Sequence, residues 1–351
     1  MQALSLRELE AQAHERLDPA VYDFFAGGAE DELTLRANEA AFARIGLVPR
    51  VLRGGGRPRL EVELLGSRAS MPVVIAPTAF HRLAHPDGER ATARAAAAAG
   101  TVMIASMAST VAIEEIAAAV PGPWFQLYVQ PDLGFTETVV RRAEAAGCAA
   151  LVVSADSPAF GRRERDLRHG FADLPEGMCC ENMRDGDGPP RRFVFTPELS
   201  WDHVEWLRST TTLPIALKGV VHPEDARIAV SAGVDMLVVS NHGGRQLDGV
   251  PAAVDLLPAI ADAVGGEVPL AVDGGVRRGT DVVKACALGA TAVGVGRPVL
   301  WGLAVAGEPG VRQVLELLRA ELERALVLCG CDSPAQADRD LLHLARVEEP
   351  W

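Results

Sequence analysis

The 351-residue sequence predicts an α/β protein built as one (β/α)8 barrel, the TIM-barrel architecture. Three observations lead there. From about residue 70 onward, short apolar runs alternate with alanine-rich stretches of helical period, which implies parallel strands joined by right-handed crossovers. Eight such runs can be counted, and eight is a number that closes a barrel. Polar residues and glycines then gather just after the runs, on the face where a barrel carries its active site. An open doubly wound sheet is the competing reading. It would show a Gly-rich dinucleotide fingerprint after its first strand, where this chain has Pro77-Thr78-Ala79.

Residues 1–70 precede the first run and read as helices that cap the barrel. Met1 to Leu17 mixes Arg7, Glu8, Glu10, Glu15 and Arg16 with leucines, an amphipathic helix without a signal-peptide core. Asp31-Glu32-Leu33-Thr34 and Gly54-Gly55-Gly56 punctuate the segment. The barrel itself is assigned to residues 71–331. Its strands are expected at Val73–Ala76, Val102–Ala105, Trp124–Val129, Ala150–Ser154, Ile215–Lys218, Met236–Ser240, Leu270–Asp273 and Ala292–Val295. Helical period marks Glu89–Ala99, Thr136–Ala146, Pro223–Ala232 and Gly279–Leu288 between them. One connection breaks the rhythm: about sixty residues separate Ser154 from Ile215. They include Arg162, Arg163, Arg165, Arg168 and the turn Gly186-Asp187-Gly188-Pro189-Pro190. A long polar connection at the catalytic face reads as a mobile active-site loop after strand 4, spanning 160–200, with a functionless insertion as the alternative. Residues 332–351 form a C-terminal tail. The whole chain is then a single domain.

Composition narrows the function classes. Apolar residues are 48% and charged residues 23%, the balance of a soluble globular protein. A formal net charge of −13 argues against nucleic acid or an anionic membrane as partner. No apolar run approaches the roughly 20 residues that span a bilayer, so the chain reads as cytoplasmic. The 6 cysteines include no C-x-x-C, and the 8 histidines no H-E-x-x-H, so no metal site is indicated.

The richest segment is Ser240-Asn241-His242-Gly243-Gly244-Arg245-Gln246 after the sixth run. It sets a titratable base beside a permanent cation, a pairing suited to removing a proton from an anionic substrate. Alone, it reads more readily as a loop in which the His caps a helix and the Arg makes an ion pair. The other strand ends add Ser106, Gln126, Tyr128, Ser154, Asp156 and Lys218. After the last two runs come Asp273-Gly274-Gly275-Val276-Arg277 and Gly294-Val295-Gly296-Arg297. Gly-rich ends followed by arginine suit a barrel phosphate site, with backbone N–H groups and bidentate charge on the anion. A flat ring could then lie across the barrel mouth, its polar edge toward Gln126, Ser154 and Lys218. Lys218 could instead be a Schiff-base nucleophile or an ion-pair partner.

Taken together, Ser240–Gln246, Asp273–Gly279 and Gly161-Arg162-Arg163-Glu164 strongly resemble the FMN-dependent L-2-hydroxy acid oxidases and dehydrogenases. That family includes glycolate oxidase, lactate oxidase and mandelate dehydrogenase. Further matching motifs run from Gly28-Ala29-Glu30-Asp31 through Ala76–Ala79, His85-Pro86-Asp87-Gly88-Glu89 and Gln126-Leu127-Tyr128 to Leu217-Lys218-Gly219-Val220. The resemblance implies FMN as cofactor and His242 as base, with Asp156 orienting it. It implies Arg163 and Arg245 on the substrate carboxylate, Tyr128 on the substrate oxygen and Lys218 at the flavin N1–O2 edge. Pro77, Thr78, Ala79, Ser106, Gln126, Ser154 and Ser240 match flavin-contact positions. Asp273, Gly274, Gly275, Arg277, Gly296 and Arg297 match ribityl-phosphate positions. A homo-oligomer, tetramer or octamer, is also implied.

Two residues depart from the short-chain oxidases. Phe24 stands where glycolate oxidase has a tyrosine that binds the substrate carboxylate, and Ala108 where it has a bulky tryptophan. Both changes favour a large apolar or aromatic substituent. The expectation is oxidation of an aryl (S)-2-hydroxy acid, of the mandelate or 4-hydroxymandelate type, with O2 as acceptor and H2O2 as product. Phe24, with Pro123-Trp124-Phe125-Gln126-Leu127-Tyr128, also resembles the hydroxymandelate oxidases. The alternatives are an aliphatic lactate or glycolate oxidase or dehydrogenase with another acceptor, a non-redox FMN barrel of the isopentenyl-diphosphate isomerase type, and a flavin-binding barrel without catalysis.

Overall fold

The computed structural model describes residues 3–53, 56–186 and 188–344. Met1, Gln2, Gly54, Gly55, Asp187 and the end of the tail, 345–351, lie outside the described residues. Eight strands form the barrel: β1 (Val73–Ile75), β2 (Ile104–Ser106), β3 (Trp124–Leu127), β4 (Ala150–Ser154), β5 (Ile215–Val220), β6 (Met236–Val239), β7 (Leu270–Asp273) and β8 (Ala292–Val295). They pair in parallel in the order β1-β8-β7-β6-β5-β4-β3-β2. The ring closes between β1 and β2, where Ile75 bridges Met103 and its N–H donates to the Val102 carbonyl at 2.9 Å. The expected (β/α)8 barrel is therefore the fold.

Strand alternation divides the core in two. Val74, Ile104, Trp124, Val152, Ala216, Val238, Ala271 and Ala292 point into the barrel, while their neighbours pack outward on the helices. The interior cluster includes Leu64 and Ala69 of a hairpin, Val62–Leu64 paired with Ser67–Ala69. This hairpin floors the barrel, and Trp124 Nε1 donates to Ser67 Oγ at 3.1 Å. The N-terminal segment is thus more than the expected helices. Helices do span Leu6–Arg16, Pro19–Ala26 and Leu33–Arg44. After them, Ile45–Leu47 pairs antiparallel with Leu342–Leu344, so the start of the tail is built into the cap.

The crossover helices have the predicted local causes. Gly88–Ala99 stops at Gly100 in the left-handed region (φ +63°), and the Asp132 side chain caps Leu133–Ala145 by accepting from Phe135 N at 3.1 Å. The 22-residue helix Glu308–Cys329 was not anticipated. It packs on Arg297–Ala306, where Gly302 and Gly310 let the two backbones touch. Among the described residues no helix is long and apolar enough to cross a membrane.

The 160–200 connection is not a structureless loop. It carries a helix, Glu164–His169, and a 3-10 turn, Glu181–Met183. Asn182, 1% exposed, ties the turn to the barrel: it accepts from Ile113 N at 2.8 Å and donates to the Ser106 carbonyl at 3.2 Å. Further along, Thr196 Oγ1 donates to the Val129 carbonyl at 3.1 Å. The apolar patterning that reveals strands is silent on such ties, because they join polar side chains to backbone.

Candidate active site

A cavity of about 1030 Å³ opens at the C-terminal ends of the strands, roofed by the N-terminal helices and the long connection. Its chemical centre follows β6. His242 adopts φ +58°, a left-handed conformation that costs free energy for a residue with a Cβ. Ser240 Oγ receives its backbone N–H at 3.1 Å and holds it there. Nδ1 lies 3.0 and 3.1 Å from the two oxygens of Asp156, and Nε2 lies 3.4 Å from Tyr128 Oη. A carboxylate on Nδ1 keeps the ring proton on that side, which leaves the Nε2 lone pair facing the cavity.

Burial shapes the charges. Desolvation holds His242 below the ordinary imidazole value, opposed by Asp156 and reinforced by Lys218. Burial alone would raise the Asp156 carboxyl, but His242 and Lys218 outweigh it and bring it down to about 2. Tyr128 is pushed up to about 12 by burial and by Asp156, so its hydroxyl stays protonated. Lys218 Nζ donates to Ser240 Oγ at 2.8 Å and sits 3.3 Å from Asp273, while Ser240 Oγ donates to Asp273 at 2.6 Å. Desolvation disfavours the ammonium, yet Asp273 and Asp156 more than offset it and keep Lys218 above its usual value. Ser106, Gln126 and Ser154 form a second chain: Ser106 Oγ to Gln126 Oε1 at 2.9 Å, and Gln126 Nε2 to Ser154 Oγ at 3.1 Å. Ser106 lines the cavity, whereas Gln126, Ser154 and Ser240 are buried behind its wall.

The arginines differ in what already engages them. Arg245 donates through Nη1 to the carbonyls of Phe24 and Gly27 at 2.7 and 2.9 Å, with its guanidinium 5.1 Å from the Phe24 ring centroid. Arg297 donates to the carbonyls of Phe25, Gly243 and Gly27 at 2.9, 3.0 and 2.9 Å. Arg163 stacks 4.1 Å over Phe160, and its hydrogen bond, to the Arg245 carbonyl, is long at 3.5 Å. Burial and mutual repulsion lower Arg245 well below its usual value, and burial with Arg277 brings Arg297 to about 10. Such crowded cations await an anion.

The expected phosphate end can be tested on its own chemistry. Arg277 pairs with Glu39 at 2.9 Å, but its Nε is buried without a partner among the described residues. Gly274 and Gly275 have φ of +95° and +87°, and a Cβ on Gly275 would collide with the Asn38 backbone. Pro77, Thr78, Ala79 and Gly296 complete the wall. Unspent donors, bare backbone and clustered cations fit the phosphate and flat ring of FMN. Gly275→Ala is expected to cost about 2–4 kcal/mol of stability, from strain at positive φ plus overpacking, with a lower midpoint in thermal unfolding and less bound flavin as the checks.

Both departing residues lie at the cavity. Phe24 and Ala108, 6% and 8% exposed, line the same cavity. Phe24 packs 5.3 Å from Phe80 and 4.7 Å from Phe171. On the opposite side, Tyr128 meets Phe193 and Phe195 edge-on at 5.9 and 5.5 Å. The sequence reading missed Phe80, Phe160, Phe171, Phe193 and Phe195, all in irregular segments without period. It also missed Asp166, a buried carboxylate that lines the cavity with one oxygen unpartnered among the described residues.

Comparison with known proteins agrees with this geometry. The profile of the FMN-dependent dehydrogenase family matches residues 13–344. A peroxisomal (S)-2-hydroxy-acid oxidase of Oryza sativa subsp. japonica is 47% identical over 96% of this chain and 94% of its own. An L-lactate oxidase of Nostoc sp. (strain PCC 7120) is 46% identical over 97% of this chain and 98% of its own. Among solved structures, mandelate oxidase with benzoyl-formic acid superposes with a TM-score of 0.91 at 47% identity, covering 97% of this chain and 98% of that one. The chain therefore belongs to the FMN-dependent dehydrogenase family.

Proposed function

We propose that the protein oxidises an aryl (S)-2-hydroxy acid of the mandelate type to the 2-keto acid, with O2 as electron acceptor and H2O2 as the second product. The observation that carries the substrate choice is the aromatic-walled space between Phe24 and Ala108. Phe24 offers a ring face where glycolate oxidase has a hydroxyl, and Ala108 leaves open the volume of a tryptophan. Relatives named for (S)-2-hydroxy acids, L-lactate and mandelate support the reaction class.

The residues take the following roles in this reading. Arg163 and Arg245 bind the substrate carboxylate, and their positions fix the reacting carbon within the cavity. Tyr128, protonated, donates to the substrate hydroxyl oxygen. Nε2 of His242 accepts the proton released on oxidation, and Asp156 stabilises the imidazolium so formed. FMN, when bound, would supply the acceptor for the electron pair. Lys218 and the chains through Ser240–Asp273 and Ser106–Gln126–Ser154 provide fixed charge and donors for the ring edge. Pro77, Thr78 and Ala79 form the wall beside the ring, while Gly274, Gly275, Gly296, Arg277 and Arg297 hold the phosphate.

A panel of mandelate, 4-hydroxymandelate, lactate and glycolate, read by oxygen consumption, tests the substrate. Mandelate-type acids are expected to exceed glycolate in kcat/KM by about 10²-fold, the scale of filling an apolar pocket. Preference for glycolate would overturn the pocket argument, and flavin that bleaches with substrate but takes up no oxygen in air would overturn O2 as acceptor.

A further inference from the structure

Beside the cavity lies an enclosed polar cluster that the proposed reaction does not use. His81, on the 3-10 turn His81–Leu83, is 2% exposed. Its Nε2 is 2.6 Å from Thr78 Oγ1, and its Nδ1 is 3.0 Å from Thr92 Oγ1. Thr92 and Glu89, both on the helix Gly88–Ala99, are fully buried. Glu89 accepts from His81 N at 3.1 Å, Thr110 N at 2.9 Å and Thr110 Oγ1 at 2.7 Å, which locks the turn to the helix. Thr78, by contrast, lines the flavin cavity.

The hydrogen positions follow from the donor inventory. Among the described residues, His81 Nδ1 is the one partner of the Thr92 hydroxyl. A buried O–H that does not donate is costly, so Thr92 donates and Nδ1 accepts. A neutral ring then carries its hydrogen on Nε2, which donates to Thr78 Oγ1. The hydroxyl hydrogen of Thr78 is left without a protein acceptor among the described residues.

We propose that Thr92 and His81 form a positioning relay that makes Thr78 a hydrogen-bond donor to an acceptor atom of the bound flavin. Complete burial supports the neutral ring, since it holds His81 below the ordinary imidazole value against the pull of Glu89. The relay matters because Thr78 could otherwise spend its hydrogen on Nε2 and offer the cofactor an acceptor instead.

The inference rests on the flavin reading of the cavity, and two measurements keep the two separable. In protein labelled with ¹⁵N-histidine, with and without FMN, His81 is expected to show a neutral ring protonated on Nε2. Titration of flavin-stripped protein with FMN, followed by flavin fluorescence, is expected to show about tenfold weaker binding for Thr78→Val, the effect of one lost hydrogen bond, and near-native binding for Thr78→Ser. Thr92→Val is expected to weaken FMN by about threefold or more and alter the His81 ring signals, with Thr92→Ser restoring both. An Nδ1-protonated or charged ring in the native protein would overturn the relay, as would Thr78→Val binding FMN like the native chain. Native protein that bound no FMN would overturn the flavin reading and the relay with it.

Discussion

His242→Gln is expected to lower kcat by about 10³-fold or more while flavin stays bound. Glutamine keeps much of the side-chain volume but has no basic nitrogen for the substrate proton, and the His242 ring bonds to Asp156 and Tyr128, not to Arg277 or Arg297, among the described residues. Stopped-flow bleaching by mandelate without oxygen reads the step directly, and bleaching at the native rate would refute the base. The pH profile adds a sign. Only neutral imidazole accepts a proton, and burial holds His242 below 6.5, so kcat/KM should rise through a midpoint below 6.5 and then level off. Asp156→Asn removes the negative charge that favours imidazolium. The acid limb should therefore move further down, while the plateau falls by about 10²-fold as the base weakens. An acid limb moving upward would contradict the assigned pair.

Arg163→Met should lower kcat/KM for mandelate-type acids by about 10²–10³-fold, the scale of a lost bidentate charge-assisted contact. The two arginines differ in what they already hold. Arg245 has both bonds of one Nη1 committed to the carbonyls of Phe24 and Gly27. Arg163 is 9% exposed and held by stacking on Phe160, with its terminal nitrogens uncommitted among the described residues. It is therefore the cation freer to turn onto a carboxylate. Arg163→Lys should recover only part of the loss, since an ammonium lacks the planar fork. Flavin content should be unchanged in both variants, and steady-state kinetics with absorbance of the bound flavin checks the two claims together. A native kcat/KM in Arg163→Met would remove this residue from substrate binding.

The barrel was legible because buried parallel strands read as unbroken apolar runs, and every expected strand overlaps an observed one. Their ends shift by one or two residues, as at β2, which starts at Ile104 instead of Val102. His242, Asp156, Tyr128, Arg245 and Lys218 were visible because barrel topology delivers strand-end residues to one face, and Arg163 through the resemblance of Gly161–Glu164; five of the six line one cavity, with Asp156 behind them on His242. The hairpin at Val62–Ala69 was hidden by strands of three residues, too short to show alternation. The aromatic walls were hidden for another reason. Phe80, Phe160, Phe171, Phe193 and Phe195 lie in turns and extended stretches, where spacing carries no directional information. The relay through His81 joins a turn to a helix face, a three-dimensional pairing that no local pattern encodes.

Arg245 and Arg297 donate to carbonyls of Phe24, Phe25 and Gly27 across 218 to 272 residues of chain. During synthesis the segment carrying those carbonyls leaves the ribosome first, yet its anchors emerge only after β6 and β8 have been made. The helix Pro19–Ala26 can meet Arg165 and His169 through Asp23 once the connection after β4 is made, but its carbonyl anchors come only with nearly the whole polypeptide. What is translated first is thus expected to be fully docked only late, with the Phe24 wall of the cavity completed among the final events of folding.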